Sequence, residues 1–336
     1  MFERLPMVEA QRGTVRNSAM PPVRLKPLVG LIRNSRSHRN ASAPDAQPVP
    51  NGVLAAYPRE RGELAGILAK FAERQVDCIA IDGGDGTVRD VLTSGAGVFG
   101  DTWPAIIVLP SGKTNALAYD LGIPTGWTLE RAIAALRDGH IARRRPLVVS
   151  QRDNGQAQAR GFILGAGAFN RATALGQKSH DLGAFNAAVI GVTTVWSILQ
   201  ALFGTAGNAW RQGTRMRVRD ASGAELPHRG GLPADERYFL LASTLRRFPA
   251  GIDLYGPVEH DLGLAMLDNP RRSLLLRLGA LIRGTASEGT MQRGAHIVGS
   301  ERFGLELEEE FILDGEAFPP GNYRIEPGAR LRFVVP

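Results

Sequence analysis

The residues Gly83-Gly84-Asp85-Gly86-Thr87 set one carboxylate among three glycines and a hydroxyl, directly after the apolar run Cys78-Ile79-Ala80-Ile81. Glycine lets a backbone take positive φ and approach a ligand closely, and a helix starting near Thr87 aims its free N–H groups at whatever lies there. An anion is the expected guest. A carboxylate in such a loop repels phosphate by itself, so Asp85 makes chemical sense if it also engages Mg²⁺, directly or through water. The plain alternative is a tight connection with no ligand. The pattern repeats where the apolar run Ala105–Leu109 ends in Pro110-Ser111-Gly112-Lys113-Thr114-Asn115-Ala116. Ser111, Lys113, Thr114 and Asn115 supply hydroxyl, ammonium and amide donors for phosphate, while Leu117, Leu121 and Ile123 can pack the following helix on a sheet. Near the C-terminus Asp314 and Glu316 lie two apart, hence on one face of an extended chain, although Asp-Gly is also a common surface β-turn.

Elements must carry these loops. Strands at 28–33, 77–82 and 105–109 alternate with helical patterns, one from about Arg61 to Glu73 and one from Gly126 to Arg137, opened by Thr128 and closed at Gly139. That alternation is the signature of an α/β unit with a parallel sheet covered on both faces. After Arg143-Arg144-Arg145-Pro146 the texture changes to short, glycine-punctuated alternating runs such as Leu147–Ser150, Gly161–Gly165, Met216–Arg219 and Tyr238–Ala242, which predict antiparallel β-structure. The organisation expected is a basic flexible tail over 1–25, a nucleotide-binding α/β domain over 26–145 with 318–336 returning to it, and a β-rich second domain, an antiparallel sandwich, over 146–317.

The chain of 336 residues, 43% apolar, is long enough for two cored domains. Its single cysteine, Cys78, excludes an intramolecular disulfide and a multi-cysteine metal site, and its place in a buried strand predicts packing. The six histidines have no metal-ligand spacing, and no Gly-x-Ser-x-Gly elbow is present. The net charge is +7, and residues 1–40 hold eight basic residues against two glutamates. This leading segment can draw the chain to anionic lipid or stay a solvated tail; basic and aromatic residues are not interleaved as nucleic-acid binding asks, so no nucleic-acid partner is expected. Leu182–Trp210 lacks any charged side chain. It is long enough to span a bilayer, but its polar residues and its place inside the fold favour a helix presenting an apolar face to lipid, with a buried core helix as the alternative. Arg271–Arg283, leucines flanked by arginines, reads as a second interfacial helix or a core helix with snorkelling arginines. The first twenty residues lack a signal-peptide core, so a cytoplasmic protein at the inner face of the membrane is expected. The oligomeric state stays open, a homodimer included.

Together the two glycine loops resemble the catalytic domain of the diacylglycerol kinase family, which includes sphingosine and ceramide kinases. Lys26–Ser37 is similar to its first strand and Asn-Pro-x-Ser-Gly loop, and Asp314-Gly315-Glu316 to its late Asp-Gly-Glu. The chain departs from the pattern at Ser35, His38, Lys113 and Ala116; Asn-Ala-Leu-Ala is closer to the sphingosine kinase version of the loop. Ala55-Ala56-Tyr57 stands where members often place a nucleotide-contacting Thr. The resemblance implies an ATP- and Mg²⁺-dependent kinase that phosphorylates the primary hydroxyl of a membrane lipid: diacylglycerol, a sphingoid base or ceramide. Asn34, Gly83, Gly84, Gly86, Thr87, Ser111, Gly112, Lys113, Thr114 and Asn115 would cradle the nucleotide, and Asp85 would help hold Mg²⁺. Asp261, in a loosely matching Asp-Leu-Gly-Leu, would serve a second metal site. One of Asp314 and Glu316 would accept the hydroxyl proton, Glu316 being the choice, with Asp314 its partner. The competing classes are a soluble-substrate kinase of the NAD kinase type, which shares Gly-Gly-Asp-Gly-Thr, and a non-catalytic lipid-binding protein on the same fold.

Overall fold

The computed structural model describes residues 2–8, 24, 26–40, 50–181, 208–249, 252–253, 255–256 and 260–336. The chain opens with β1 (Val29–Arg33), β2 (Val53–Ala56), α1 (Glu63–Glu73), β3 (Cys78–Gly83), α2 (Asp85–Phe99), β4 (Ala105–Pro110), α3 (Ala116–Asp120), α4 (Leu129–Arg137) and β5 (Ile141–Arg144). There follow β6 (Leu147–Gln151), β7 (Asn154–Gly161), β8 (Ile163–Gly167), α5 (Ala168–Asp181), β9 (Thr214–Arg219), β10 (Glu236–Arg237), β11 (Phe239–Ser243) and β12 (Leu262–Leu267). After α6 (Arg272–Leu275), α7 (Leu278–Ile282) and α8 (Glu288–Met291) the chain ends in β13 (Ala295–Ser300), β14 (Phe303–Leu307), β15 (Phe311–Leu313), β16 (Glu316–Phe318), β17 (Gly321–Pro327) and β18 (Leu331–Val334).

One sheet has the order β2-β1-β3-β4-β18-β5. Its pairs are parallel except at the edge, where β5 runs against β18. Strand alternation sends Ile32, Ile79, Ile81, Ile106 and Val108 to one face, under Leu68 and Phe71 of α1 and Val88, Val91 and Leu92 of α2. Leu31, Cys78, Ala80 and Ile107 face the other way, under Leu129, Ala132 and Ala135 of α4. Both faces are therefore dry, as the near-continuous apolar strands predicted. Cys78 is wholly buried, and burial, then Asp77, pushes its thiol up to about 12, so it packs rather than reacts.

The remaining strands form two antiparallel sheets, β10-β9-β14-β17-β6-β7 and β13-β12-β11-β8-β15-β16. Their inward residues, among them Leu147, Val149, Leu164, Leu264, Phe303, Leu305, Phe311 and Ile325, meet in one shared core. The return to the parallel sheet is shorter than the sequence suggested. Residues 318–327 do not cross back: β17 pairs with β14 and β6 in the antiparallel layer, and only β18 lies beside β4. Tyr323 and Ile325 explain this, because their side chains belong to the sandwich core.

Two lipid-facing expectations fare differently. The uncharged segment 182–207 lies outside the described residues, as does most of the basic tail. Arg271–Arg283 forms two short helices rather than one, with Leu274, Leu275 and Leu281 buried and Leu276 74% exposed. Among the described residues no helix is long and apolar enough to cross a membrane.

Candidate functional site

The register Asp82↔Leu109 and Gly83↔Pro110 sets the ends of β3 and β4 side by side, so their two loops emerge together at the carboxyl edge of the sheet. They touch through glycine. A Cβ built on Gly112 would lie 2.5 Å from the Gly84 Cα, a contact that no side chain at 112 could accept. Asp85 locks the pair: its two carboxylate oxygens accept the N–H groups of Ala116 (2.9 Å) and Leu117 (3.1 Å), the first residues of α3. Burial pushes its carboxyl up, against those two bonds. The first loop joins through Asn34, whose side-chain amide donates to Thr87 Oγ1 at 2.9 Å. Gly83 is needed beneath that bond, since a Cβ there would lie 2.5 Å from Thr87 Oγ1.

Asp82, which sequence reasoning passed over, anchors all three loops. Its carboxylate takes Arg33 Nε (2.7 Å), Ser111 Oγ (2.5 Å) and Asn40 Nδ2 (3.1 Å). A charged residue ending an otherwise apolar strand was the available signal. Ser111 is thereby buried and holds the loop instead of offering its proton to a ligand. Asn115 likewise shapes its own loop: it sits at φ +50°, accepts Gly112 N–H (2.9 Å) and donates to Gly112 O (2.8 Å). Lys113 and Thr114 are exposed, and with Gly84, Asp85 and Gly86 they border a cavity of about 380 Å³. Ile163, Phe169, Ile312 and Asp314 of the antiparallel region close its other side.

Asp314 and Glu316 do not share a face. Asp314 (φ +44°) and Gly315 (φ +78°) are the two central residues of a tight hairpin turn between β15 and β16, with Leu313 opposite Glu316. Positive φ at both positions is what the Asp-Gly pair supplies. The turn is not idle surface, because the Asp314 carboxylate folds inward and accepts N–H from Phe162 (3.0 Å) and Ile163 (2.9 Å). Burial, then the Asp85 charge across the cavity, pushes Asp314 up to about 7. Glu316 points elsewhere, bonding Arg61 at 2.8 Å with Arg89 at 3.8 Å. Burial raises its carboxyl, but hydrogen bonds and the charges of Arg61 and Arg89 outweigh that and hold it below its ordinary value. The turn therefore separates the two carboxylates expected to act together: Asp314 borders the cavity, whereas Glu316 is held by Arg61 and Arg89.

Arg89 is the second residue the sequence did not reveal. It lies on α2 about one turn past the glycine loop, is 2% exposed, and donates to the carbonyls of Leu313 (3.1 Å) and Asp314 (3.3 Å) while pairing with Asp90 at 2.8 Å. It thus ties the helix that begins at the Gly83–Gly86 loop to the hairpin that carries Asp314. Phe2 braces the same corner, stacked on Phe318 at 4.4 Å and lying under Arg61.

Asp261 is not part of this site. It pairs with Arg145 (3.0 Å) and Arg330 (3.4 Å) and borders a separate cavity with His260, Tyr255 and Ser243. Among the described residues no three acidic, histidine or cysteine side chains converge as a metal cage. With both Asp85 oxygens accepting helix N–H groups, the donors present fit a Mg²⁺ ion only if nucleotide phosphates supply most of its ligands, as Mg²⁺ generally prefers.

Comparison with known proteins agrees with the reading of the two glycine loops. Residues 41–147 match the model of the diacylglycerol kinase catalytic domain. The chain is 35% identical over 65 residues to the probable lipid kinase YegS of Shigella flexneri, a stretch that is 19% of this chain and 22% of that protein. Among solved structures it is similar to a putative diacylglycerol kinase from Bacillus anthracis str. Sterne, with a TM-score of 0.64 at 15% identity over 94% of this chain and 99% of that one. A second structure under the same description gives a TM-score of 0.61 with the same coverage. At that identity the structures establish the shared fold.

Proposed function

For a chain whose residues 41–147 match the model of the diacylglycerol kinase catalytic domain, we propose an ATP-dependent lipid kinase that transfers the γ-phosphate to the primary hydroxyl of a membrane lipid. The observation that carries this reading is the placement of Asp314, its carboxyl raised to about 7, across one cavity from the Gly84–Gly86 loop. A base is most effective when its pKa lies near the working pH. In this reading the helix N-terminus at Gly84–Thr87 and the Lys113–Thr114 edge receive the phosphates, and Asn34 holds Thr87 in place. Asp314 accepts the proton of the acceptor hydroxyl, and Arg89 holds its turn. Mg²⁺ bound through the phosphates and Asp85 would neutralise charge on the transferred group.

A lipid acceptor is supported by Ile163, Phe169 and Ile312, apolar residues of the antiparallel region that line the cavity. Diacylglycerol, a sphingoid base and ceramide all present such a hydroxyl. Residues 26–145 with β18 serve as the nucleotide-binding domain, and the antiparallel sandwich brings the acceptor. Peripheral attachment to the cytoplasmic face of the membrane is supported by the basic segment 1–40 and by exposed Leu276 between Arg272 and Arg277. The test is transfer of labelled phosphate from ATP to diacylglycerol, monoacylglycerol, sphingosine and ceramide in mixed micelles, with and without Mg²⁺. Label on one lipid, lost in Asp314→Asn, is expected; ATP bound with no lipid labelled would sink the proposal.

A further inference from the structure

The outward face of the β10-β9-β14-β17-β6-β7 sheet borders a second polar cavity, about 410 Å³, distinct from the one at the phosphate loops. Register places Glu326, Val148 and Arg160 in one row across β17, β6 and β7, and Arg324, Ser150 and Gln158 in the next. Val149, Ala159 and Ile325 alternate to the core side. Both connections between the layers pass over this outward face and are bonded to each other. Gly328 donates its N–H to Pro146 O (2.8 Å), and Arg145 Nη1 donates to Gly328 O (2.7 Å). Under that cover Arg160 is only 9% exposed.

Two of the three arginines at this place have a carboxylate at close range. Arg145 Nε lies 3.0 Å from Asp261 and Arg324 Nε lies 3.6 Å from Glu326. Among the described residues Arg160 makes one side-chain hydrogen bond, from Nε to the neutral Gln158 Oε1 at 3.3 Å. No ion pair involves it among the described residues; Asp101 at the cavity rim acts on it from longer range. Arg145 Nε also lacks a hydrogen-bond acceptor despite its nearness to Asp261. The Arg160 terminal nitrogens carry no hydrogen bond among the described residues and are not sealed from solvent, and the planar fork they form matches a tetrahedral oxyanion held through two bonds.

We propose that this cavity binds a small phosphate-class oxyanion, with Arg160 as the fork that holds it and Arg145 and Arg324 beside it. Asp101 and Glu326 also line the cavity and select among anions. A carboxylate can accept a hydrogen bond only from an oxyanion that carries a proton, so phosphate or a phosphomonoester is favoured over sulfate. The site does not depend on the kinase reading.

The test is calorimetric titration of the full chain with inorganic phosphate and with sulfate, for wild type, Arg160→Met and Gly112→Ala. Phosphate binding weakened about tenfold or more in Arg160→Met, retained in Gly112→Ala and stronger than sulfate binding is the expected result. Without ligand, Arg160→Met should melt no lower than wild type, because it removes a largely buried cation with no carboxylate at ion-pair distance among the described residues. Phosphate binding unchanged in Arg160→Met, or lost only in Gly112→Ala, would overturn the proposal; so would a marked drop in the melting temperature of unliganded Arg160→Met, which would show Asp101 to be its partner. Phosphatidate vesicles that displace inorganic phosphate, where phosphatidylcholine vesicles do not, name a lipid headgroup as the source; no displacement names the free anion.

Discussion

Asp314→Asn should make the nucleotide-free protein more stable at pH 8 and leave it nearly unchanged at pH 5. Asparagine keeps the shape and tolerates the positive φ of the turn, so the substitution removes little but the charge. The folded-state pKa of Asp314 is raised from 3.8 to about 7, so its folded form keeps a proton that the unfolded chain has released. Stability therefore falls as pH rises through that window, and the loss is complete above the folded-state value. At about 1.4 kcal/mol per unit the ionised group destabilises the fold by about 4 kcal/mol at pH 8, but by under about 2 kcal/mol at pH 5. Asparagine offers one acceptor oxygen where Asp314 offered two to Phe162 and Ile163, which removes about 1–2 kcal/mol of the gain. The net expectation is about 2–3 kcal/mol at pH 8 and near zero at pH 5. Guanidinium unfolding of both proteins at the two pH values, with EDTA present, measures it. An equal difference at both pH values would show that Asp314 does not titrate in this window, and the reasoning would fail.

The same carboxyl governs activity in the proposed reaction. Phosphate transfer should rise with pH through an apparent pKa near 7, and Asp314→Asn should lose on the order of a hundredfold or more in kcat while Glu316→Gln loses far less. Equal losses would return Glu316 to the role of base. Gly112→Ala forces the two loops apart at a 2.5 Å contact and should weaken ATP binding about tenfold or more by calorimetry, at a stability cost of about 1–3 kcal/mol. Arg89→Met strips the carbonyls of Leu313 and Asp314 and leaves Asp90 with one basic partner fewer; denaturant titration should find it about 3 kcal/mol less stable, and Arg89→Lys should recover only part of that.

The sequence by itself determined the parallel-sheet unit and the position of its glycine loops, because local rules dictate both. Apolar runs bounded by glycine read as buried strands, and β1, β3, β4, α1 and α4 fall within a residue or three of where periodicity put them. The motifs also carried the resemblance to diacylglycerol kinases, and the two glycine loops lie within residues 41–147 that match the catalytic-domain model. What only the tertiary structure decided were the directions of side chains on turns and the destination of the last strands. Asp314 and Glu316 looked equivalent in a string of letters; two positive φ values fold one into the cavity and hand the other to Arg61 and Arg89. The donors of Ser111 and Asn115 are satisfied by Asp82 and Gly112, partners that no spacing rule reveals. The clasp between Arg89 and the hairpin joins residues 224 apart in sequence, and the clustering of Arg145, Arg160 and Arg324 needs two crossovers to fold over one sheet. Local propensity acts over a few residues, whereas these contacts exist only after the layers have packed.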